Sequence, residues 1–226
     1  MEKADFLMFT VINSTPFRSK KLDVFMFALS QLGEGWVIFL LMTAVHYGFG
    51  ITGLWYAQSV ASILAAGVVC QIIKKYFPKS RPACVLPNVN VVGKRLTHGS
   101  FPSGHTATAF GLAVIFSYHW GGLTHLFFIL AGLIGLTRVY IGAHFPFDVL
   151  WGAVAGLSVT SVILAFLLAA PGLGIHNPLT IVFSLIVTIA FALPLFGGYT
   201  FAKMYDRLKG KVLRVKEAVN RLRKTV

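Results

Sequence analysis

The polar residues that could do chemistry are concentrated in three short stretches of a chain that is otherwise strongly apolar. Each stretch combines cations, hydroxyl groups or imidazoles at close spacing, a mixture that apolar membrane-type sequence normally excludes. In chain order they read KKYFPKSRP (74–82), PSGH (102–105) and RVYIGAHFPFD (138–148).

The cations in these stretches indicate a site for phosphate. Lys74, Arg81 and Arg138 supply three positive charges, and guanidinium groups hold phosphate oxygens in bidentate pairs. Ser103 is placed to cap a helix that begins at Gly104, where the free N–H groups of the first turn attract an anion. We therefore expect these five residues to bind a phosphate group.

Two histidines add reactivity to this binding site, because an imidazole acts as a nucleophile or a proton donor near neutral pH. His144 and Asp148 are four residues apart and Pro146 suits a first helical turn, so we expect the carboxylate to reach one ring nitrogen. The other nitrogen would attack phosphorus, and His105 would protonate the departing oxygen. No metal ion is expected, since the three cations would repel it.

The remaining charged residues and histidines receive structural interpretations. Glu34, an acidic residue well inside the first apolar stretch, is either a functional carboxylate or a solvated helix break near the membrane interface, and we favour the break. Anchors that face lipid headgroups are predicted at Lys75, Lys79, Lys94 and Arg95. Structural roles are predicted for His46, His98, His119, His125 and His176.

The elements that position these residues are predicted to be membrane-spanning helices. Of the 226 residues, 56% are hydrophobic and only 12% are charged, which is not a soluble composition. A spanning helix needs about 20 largely apolar residues. The fold class predicted is an all-α, polytopic helical bundle with about six spans, near residues 22–49, 53–74, 104–121, 123–140, 147–170 and 177–200.

The first span contains Gly33, Glu34 and Gly35, which could instead divide it into an interfacial helix (22–32) and a shorter span from Gly35. With six crossings, all three polar stretches lie on the same membrane face. The long polar connection at 77–102 also lies on this face, so the chemistry is expected beside it.

The chain is predicted to have three parts: an interfacial N-terminal arm (1–21), the six-span core (22–200) and a basic amphipathic tail (201–226). No removable signal peptide is expected at the start. The tail repeats apolar residues at spacings of four and three, so we expect it to lie on an anionic membrane surface; the alternative is a coiled-coil contact that makes a homodimer.

The net charge of +13 does not indicate a nucleic-acid partner, because the cations fall into loops and the tail. None lies between Leu22 and Ile73, between Leu96 and Thr137, or between Val139 and Ala202. Membrane lipids and a lipid phosphate substrate are the expected partners.

Taken together, the three stretches resemble the signature of the PAP2 (type 2 phosphatidic acid phosphatase) superfamily, which is related to vanadium haloperoxidases. The pattern is K-x6-R-P, then P-S-G-H, then S-R-x5-H-x3-D, and every spacing is met between Lys74 and Asp148. The one departure is Thr137 in the place of serine, which keeps the hydroxyl group.

The resemblance implies an integral-membrane phosphatase that needs no metal or cofactor. It implies that His144 forms a phosphohistidine oriented by Asp148 and that His105 is the general acid. It assigns the phosphate to Lys74, Arg81, Ser103, Gly104 and Arg138. Substrates in the family are mostly lipid phosphates and prenyl pyrophosphates such as phosphatidic acid, phosphatidylglycerol phosphate, undecaprenyl pyrophosphate and lipid A phosphate; a minority are sugar phosphates.

The family also implies a plasma (inner) membrane location with the site on the extracytoplasmic face, which we favour. The charges point the other way, since the motif loop and both termini share the side that holds all twenty cations. Two functions of other classes remain as alternatives: a transporter whose arginines select an anion, and a scaffold that has lost activity. The transporter is disfavoured because carriers place their sites near the bilayer midplane, and the scaffold because no reactive residue is missing.

Overall fold

The computed structural model describes residues 2–51 and 53–169, and every regular element in these ranges is helical. The all-α prediction is confirmed for this part of the chain. A short 3-10 turn at Gly121–Leu123 precedes the seventh helix. The α-helices are α1 (Glu2–Asn13), α2 (Lys20–Gln31), α3 (Gly35–Gly48), α4 (Gly53–Tyr76), α5 (Pro82–Val85), α6 (Gly104–His119), α7 (Thr124–Tyr140) and α8 (Pro146–Ala169).

Three helical segments of the described chain are long and apolar enough to cross a membrane. They are residues 59–76 in α4, 121–140 including α7, and 146–166 in α8. The pair α2 and α3 gives a fourth if it counts as one bent span. The predicted span at 104–121 is helical but only 16 residues long, as α6. The predicted sixth span (177–200) and the tail (201–226) lie outside the described residues, so six crossings and a homodimer through the tail stay predictions.

The first predicted span is two helices. The axes of α2 and α3 differ by 67° across the break that contains Gly33 and Glu34. This agrees with the divided interpretation of residues 22–49. The break is therefore a corner of the fold, and it brings Glu34 beside the start of α6.

The helix α6 lies at the centre of the bundle and packs against α3, α4, α7 and α8. Its contact with α8 is close because small residues face each other. A Cβ atom added to Gly156 would lie 2.1 Å from the carbonyl oxygen of Ala107, and one added to Gly152 would lie 2.4 Å from that of Ser103. Small residues four apart let membrane helices approach at backbone distance. This contact fixes the start of α6 against the start of α8.

The N-terminal arm is largely a helix, α1, packed on α7 and α8. Its buried residues are Asp5, Phe9 and Asn13, which recur every four positions and so share one face. Phe9 packs against Phe145 with ring centroids 5.4 Å apart. Asn13 donates to the carbonyl of Tyr140 at 2.8 Å. The arm is thus attached to the turn between α7 and α8.

Candidate active site

The turn after α7 explains the spacing between Arg138 and His144. Gly142 has φ +77° and donates its N–H to the carbonyl of Val139 at 3.0 Å, while Ala143 donates to the carbonyl of Arg138 at 3.0 Å. These two bonds are a Schellman motif, which requires the left-handed conformation that glycine adopts without strain. His144 N–H donates to the same Arg138 carbonyl at 3.1 Å. The turn therefore holds both residues in one rigid unit.

The start of α8 is fixed by two carboxylates. The Asp148 Oδ2 atom accepts the N–H of Phe145 at 3.0 Å. Phe145 is the N-cap residue of α8 and Asp148 is its third helical residue, the position whose side chain bonds back to the N-cap N–H in a capping box. The Asp5 Oδ1 atom accepts the N–H of Phe147 at 2.9 Å. Asp148 is fully buried and Asp5 nearly so. Both carboxylates thus satisfy donors that a helix start leaves free.

His144 is buried, and both ring nitrogens have neighbours. Its Nδ1 atom lies 2.6 Å from the carbonyl oxygen of Ser100, which can only accept, so Nδ1 carries the proton. Its Nε2 atom lies 3.1 Å from Nη1 of Arg81 and presents a lone pair. Burial lowers the pKa of His144 to about 3, so the ring is neutral near pH 7.

The expected direct hydrogen bond between Asp148 and His144 is not seen. Oδ2 of Asp148 lies 3.9 Å from Nδ1 of His144, beyond hydrogen-bond distance. The same oxygen instead accepts the hydroxyl of Ser100 at 2.5 Å. The reason is that the Ser100 carbonyl occupies the position at Nδ1, so the carboxylate acts on the ring across a short gap.

Lys79 connects Asp148 to α1. Its Nζ atom lies 2.7 Å from Oδ1 of Asp148 and 3.1 Å from Oδ2 of Asp5, over the ring of Phe145. The prediction that Lys79 faces lipid headgroups was therefore wrong. Two buried carboxylates attract its ammonium group inward, because buried charges need partners.

The side chain of Arg81 is held by three backbone carbonyls, two from its own loop and one from the turn between α7 and α8. The following Pro82 favours an extended backbone at Arg81 (φ −82°, ψ 159°) and opens α5. Its guanidinium group donates to the carbonyls of His98 at 3.0 Å, Ala143 at 2.8 Å and Gly99 at 3.2 Å. Burial lowers the pKa of Arg81, and nearby Asp148 opposes that shift. The cation is thus preorganised beside His144.

Ser103 and Gly104 form the start of α6 as predicted. The Ser103 hydroxyl accepts the side-chain hydroxyl of Thr106 at 2.8 Å and, more weakly, its N–H at 3.4 Å. Ser103 N–H donates to the backbone carbonyl of Asp148 at 2.9 Å. Helix geometry leaves the first N–H groups from Gly104 without intrahelical acceptors. They form the anion-attracting end of the helix.

Arg138 and Lys74 complete the cationic group. Arg138 is buried and donates from Nη1 to the Ser30 hydroxyl, while its Nε atom is buried and has no partner among the described residues. The side chain of Lys74 is half-buried, its ammonium group has no hydrogen bond among the described residues, and its Cδ atom lies near Gly99. These cations keep donors that a phosphate group would satisfy. Thr137 bonds back to the carbonyl of Ile134.

His105 lies on the first turn of α6 and contacts the corner between α2 and α3. Its Nε2 atom is 2.9 Å from Oε1 of Glu34. The electrostatic environment of His105 includes Arg138, His144, Lys74 and Arg81. The structure therefore brings both predicted histidines and all three predicted cations to one place.

A cavity of about 210 Å³ opens beside these residues. Its wall includes the guanidinium-bearing residues Arg81 and Arg138 and the carboxylate-bearing Glu34. The apolar part of the wall includes Phe27, Val91, Val92, Leu96 and Ile141. The cavity wall thus combines ionic and apolar residues.

Comparison with known proteins agrees with this geometry. The profile of the PAP2 superfamily matches residues 55–171, just over half of the chain. The chain belongs to the PAP2 superfamily. The sequence resemblance is thereby confirmed, and the protein is a phosphatase.

Three similar proteins illustrate the range of this PAP2 phosphatase's relatives. The bacitracin transport permease protein BcrC of Bacillus licheniformis is 27% identical over 73% of this chain and 88% of its own length. YbjG of Escherichia coli (strain K12), named as a candidate undecaprenyl-diphosphatase, is 30% identical over 70% of this chain and 79% of its own. The crystal structure of Aquifex aeolicus LpxE has a TM-score of 0.62 at 34% identity, covering 70% of this chain and 93% of that one.

Sequence reasoning missed several residues around the PAP2 site. Ser100 acts mainly through its carbonyl, which no side-chain motif reveals. Asp5 carried a signal: it shares the buried face of α1 with Phe9 and Asn13, and a charged residue on such a face needs a partner. Glu34 was considered, but the solvated break was favoured over the contact that it makes.

Proposed function

We propose that this PAP2 phosphatase hydrolyses a lipid phosphate or lipid diphosphate without a metal, through a phosphohistidine at His144. The main support is the orientation of that ring: Nδ1 faces the Ser100 carbonyl, and Nε2 presents its lone pair beside the Arg81 guanidinium. A neutral imidazole with a fixed tautomer is the form that attacks phosphorus.

In the first step, Nε2 of His144 forms a bond to phosphorus while the bond to the leaving oxygen breaks. Arg81, Arg138 and Lys74 neutralise the phosphoryl oxygens, and the helix end at Ser103 and Gly104 adds N–H donors. His105 gives its proton to the leaving oxygen. In the second step, water attacks phosphorus while the bond from phosphorus to Nε2 of His144 breaks, and the water passes a proton to the now neutral His105. This restores the acid and the neutral His144 ring and releases phosphate.

Asp148 stabilises the positive charge that the His144 ring gains when it is phosphorylated. Its carboxylate lies 3.9 Å from Nδ1 and is held by Ser100 and Lys79. At this distance a charge interaction is effective in a buried site even without a hydrogen bond. Asp148 therefore works as an electrostatic partner and a support for the loop.

A lipid substrate is supported by the membrane setting and by the cavity. The ionic residues of the cavity wall suit a phosphate, and its apolar residues suit the first carbons of an acyl or prenyl chain. Because the relative YbjG is named as a candidate undecaprenyl-diphosphatase, a prenyl diphosphate is the first substrate to test. A sugar phosphate is the alternative and would not need the apolar wall.

Anion transport fits the site less well, although the relative BcrC is named as a transport permease. A carrier needs cations to select an anion, but it needs no neutral imidazole oriented by a carbonyl. The buried His144 ring therefore favours hydrolysis.

The decisive experiment measures phosphate release by the purified protein in detergent, with EDTA present, from a panel of prenyl diphosphate, phosphatidic acid, phosphatidylglycerol phosphate, lipid A phosphate and glucose 6-phosphate. We expect turnover of at least one lipid in EDTA and inhibition by vanadate, which resembles the five-coordinate phosphorus of the transition state. Activity only on glucose 6-phosphate would replace the lipid assignment. Full activity of a His144→Ala variant would refute the mechanism.

We further propose that the protein lies in the plasma (inner) membrane with its active site on the extracytoplasmic face, in agreement with the family orientation. Cys84, which is exposed on the short helix α5 that follows Arg81, is a natural probe for this assignment. A membrane-impermeant thiol reagent added outside intact cells should label it. Labelling only after the cytoplasmic side is opened would reverse the orientation, as the positive-inside rule suggests.

A further inference from the structure

The carboxylate of Glu34 lies at the corner between α2 and α3 and does not cap its own helix. Glu34 is the N-cap residue of α3, yet its side chain makes no capping hydrogen bond there. Instead, Oε1 lies 2.9 Å from Nε2 of His105. The His105 side chain is 19% exposed and that of Glu34 is 39% exposed, so the pair is at the edge of the protein interior. The carboxylate is therefore directed at the predicted general acid.

The corner itself is fastened to the helices that carry the site. Thr108 donates its hydroxyl to the carbonyl of Gly33 at 2.7 Å. A Cβ atom at Gly33 would lie 3.0 Å from the Cβ and carbonyl oxygen of His105, which is tighter than most Cβ contacts, so glycine suits this approach. Arg138 bonds the hydroxyl of Ser30 one turn earlier. These contacts fix the backbone on which Glu34 stands.

The charges around His105 give this contact its importance. Burial of the ring lowers the pKa of His105 first, and the groups that face it, namely Arg138, the ring of His144, Lys74 and Arg81, lower it further. Among the described residues, Glu34 is the carboxylate in hydrogen-bond contact with His105. A general acid must hold its proton until the leaving oxygen needs it. A carboxylate in hydrogen-bond contact favours the protonated ring and so acts against burial and these cations.

We propose that Glu34 is a positioning residue that orients His105 and stabilises its protonated form for the transfer to the leaving oxygen. This inference rests on the proposed role of His105 as general acid. Glu34 stays a carboxylate throughout: the proton moves from His105 to the leaving oxygen in the first step and from water to His105 in the second. The bend between α2 and α3 then has a function, since it delivers the carboxylate to the start of α6.

The test uses leaving groups that differ in their need for a proton. The leaving group of an alkyl phosphate is an alkoxide, a poor anion that needs a proton from the acid. The leaving group of p-nitrophenyl phosphate is p-nitrophenolate, a stable anion that does not need one. For Glu34→Gln we expect kcat on the alkyl phosphate to fall about tenfold to a hundredfold, with a change of about twofold or less on p-nitrophenyl phosphate. The alkaline side of the kcat profile for the alkyl phosphate should move to lower pH, and Glu34→Asp should restore part of the rate.

Two controls separate this role from a structural one. Asp23→Asn removes a carboxylate from α2 that pairs with Arg18 and Tyr140 rather than with His105, and we expect it to affect both substrates equally. Activity on p-nitrophenyl phosphate also shows that each variant is folded. Equal losses on both substrates in Glu34→Gln, or no loss on either, would overturn the proposal.

His105→Asn distinguishes the failure of this inference from that of the mechanism. If His105→Asn is selective for the alkyl phosphate and Glu34→Gln is not, only the role of Glu34 is wrong. If His105→Asn shows no selectivity, then His105 is not the general acid, and the mechanism on which the inference rests is wrong as well.

Discussion

His144 and His105 lie in one site, but their surroundings differ. His144 is buried, its Nδ1 atom is bound to a backbone carbonyl, and the nearby carboxylate is held by two further side chains. His105 stands on a partly exposed helix end with one carboxylate beside it, next to cations that keep free donors. The hydrogen bonds around His144 are thus already formed without substrate, whereas the side of the site around His105 and Arg138 is partly exposed and keeps a donor that is unpaired among the described residues.

This difference matches what each half would have to do. A nucleophile must be held at one angle to phosphorus, so a rigid and fully bonded setting favours it. The acid side must admit the leaving group and then water, so it cannot be closed by protein contacts. The contrast predicts that changes near His144 reduce the rate on all substrates, whereas changes near His105 depend on the leaving group.

The largest effect is expected for His144→Ala. Without the attacking nitrogen no phosphohistidine forms, so kcat should fall by at least about 10⁴-fold on both alkyl and p-nitrophenyl phosphate. Phosphate release under single-turnover conditions measures this. His98→Ala is the matched control, because His98 is exposed on the same site loop and contributes only its backbone carbonyl to Arg81. A comparable loss in His98→Ala would show that the loop, rather than the nucleophile, was damaged.

A smaller loss is expected for Lys79→Gln. This change leaves Asp5 and Asp148 buried without their shared cation, and breaking a buried pair costs about 3–5 kcal/mol of folding free energy. We expect a lower midpoint of thermal unfolding and a kcat reduced about a hundredfold on both substrates, since Asp148 would lose the partner of Oδ1 and be less firmly held.

The exposed Lys75→Gln is the control for loss of a charge and should leave both quantities nearly unchanged. Adding Asp5→Asn to Lys79→Gln should recover part of the stability, because it removes one uncompensated carboxylate. A Lys79→Gln enzyme with normal kcat and stability would show that the network does not support Asp148.

Next comes Gly156→Ala, which tests the backbone contact between α6 and α8. The new Cβ atom would lie 2.1 Å from the carbonyl of Ala107, so the helices must move apart, at a cost of about 1–3 kcal/mol. Thermal unfolding in detergent measures the loss, and activity should fall with it because Ser103 N–H bonds the Asp148 carbonyl across this contact. Gly132→Ala on α7 has open space around the added atom and should be neutral. Equal effects at the two positions would mean that close approach is not the cause.

The smallest effect concerns pH. Burial lowers the pKa of His144 to about 3, whereas an unfolded histidine titrates near 6.5. As pH falls below 6.5, the His144 ring binds a proton in the unfolded chain but stays neutral in the folded protein. This residue therefore lowers the free energy of unfolding progressively between pH 6.5 and 3. Nitrogen NMR of the ring, assigned by its absence in His144→Ala, should show the neutral Nδ1–H form from pH 8 to pH 5. Protonation near pH 6.5 would contradict the buried setting.

Much of the site could be predicted because its residues are close in sequence. Helix starts and turns are local, so the cap at Ser103, the proline at 82 and the turn between Arg138 and His144 are visible in short motifs. The apolar stretches likewise predict helices, and the described chain is helical where they predict it. The exact partner of His144 was not predictable, because the Ser100 carbonyl belongs to a loop 44 residues away whose path has no local signal.

The sequence by itself determined the class of chemistry: cations, histidines and a carboxylate at fixed spacings between apolar helices specify a PAP2 phosphatase. Only the tertiary structure decided which of the other charged residues belong to the site. From the sequence, Lys79 and Glu34 were both expected to be exposed at the membrane interface. In the structure each instead contacts a charged or titratable residue on a helix elsewhere in the chain. The physical reason is that a charged side chain removed from water needs a partner of opposite charge. The partners here, Asp5, Asp148 and His105, reach their positions only when α1, α6 and α8 pack together.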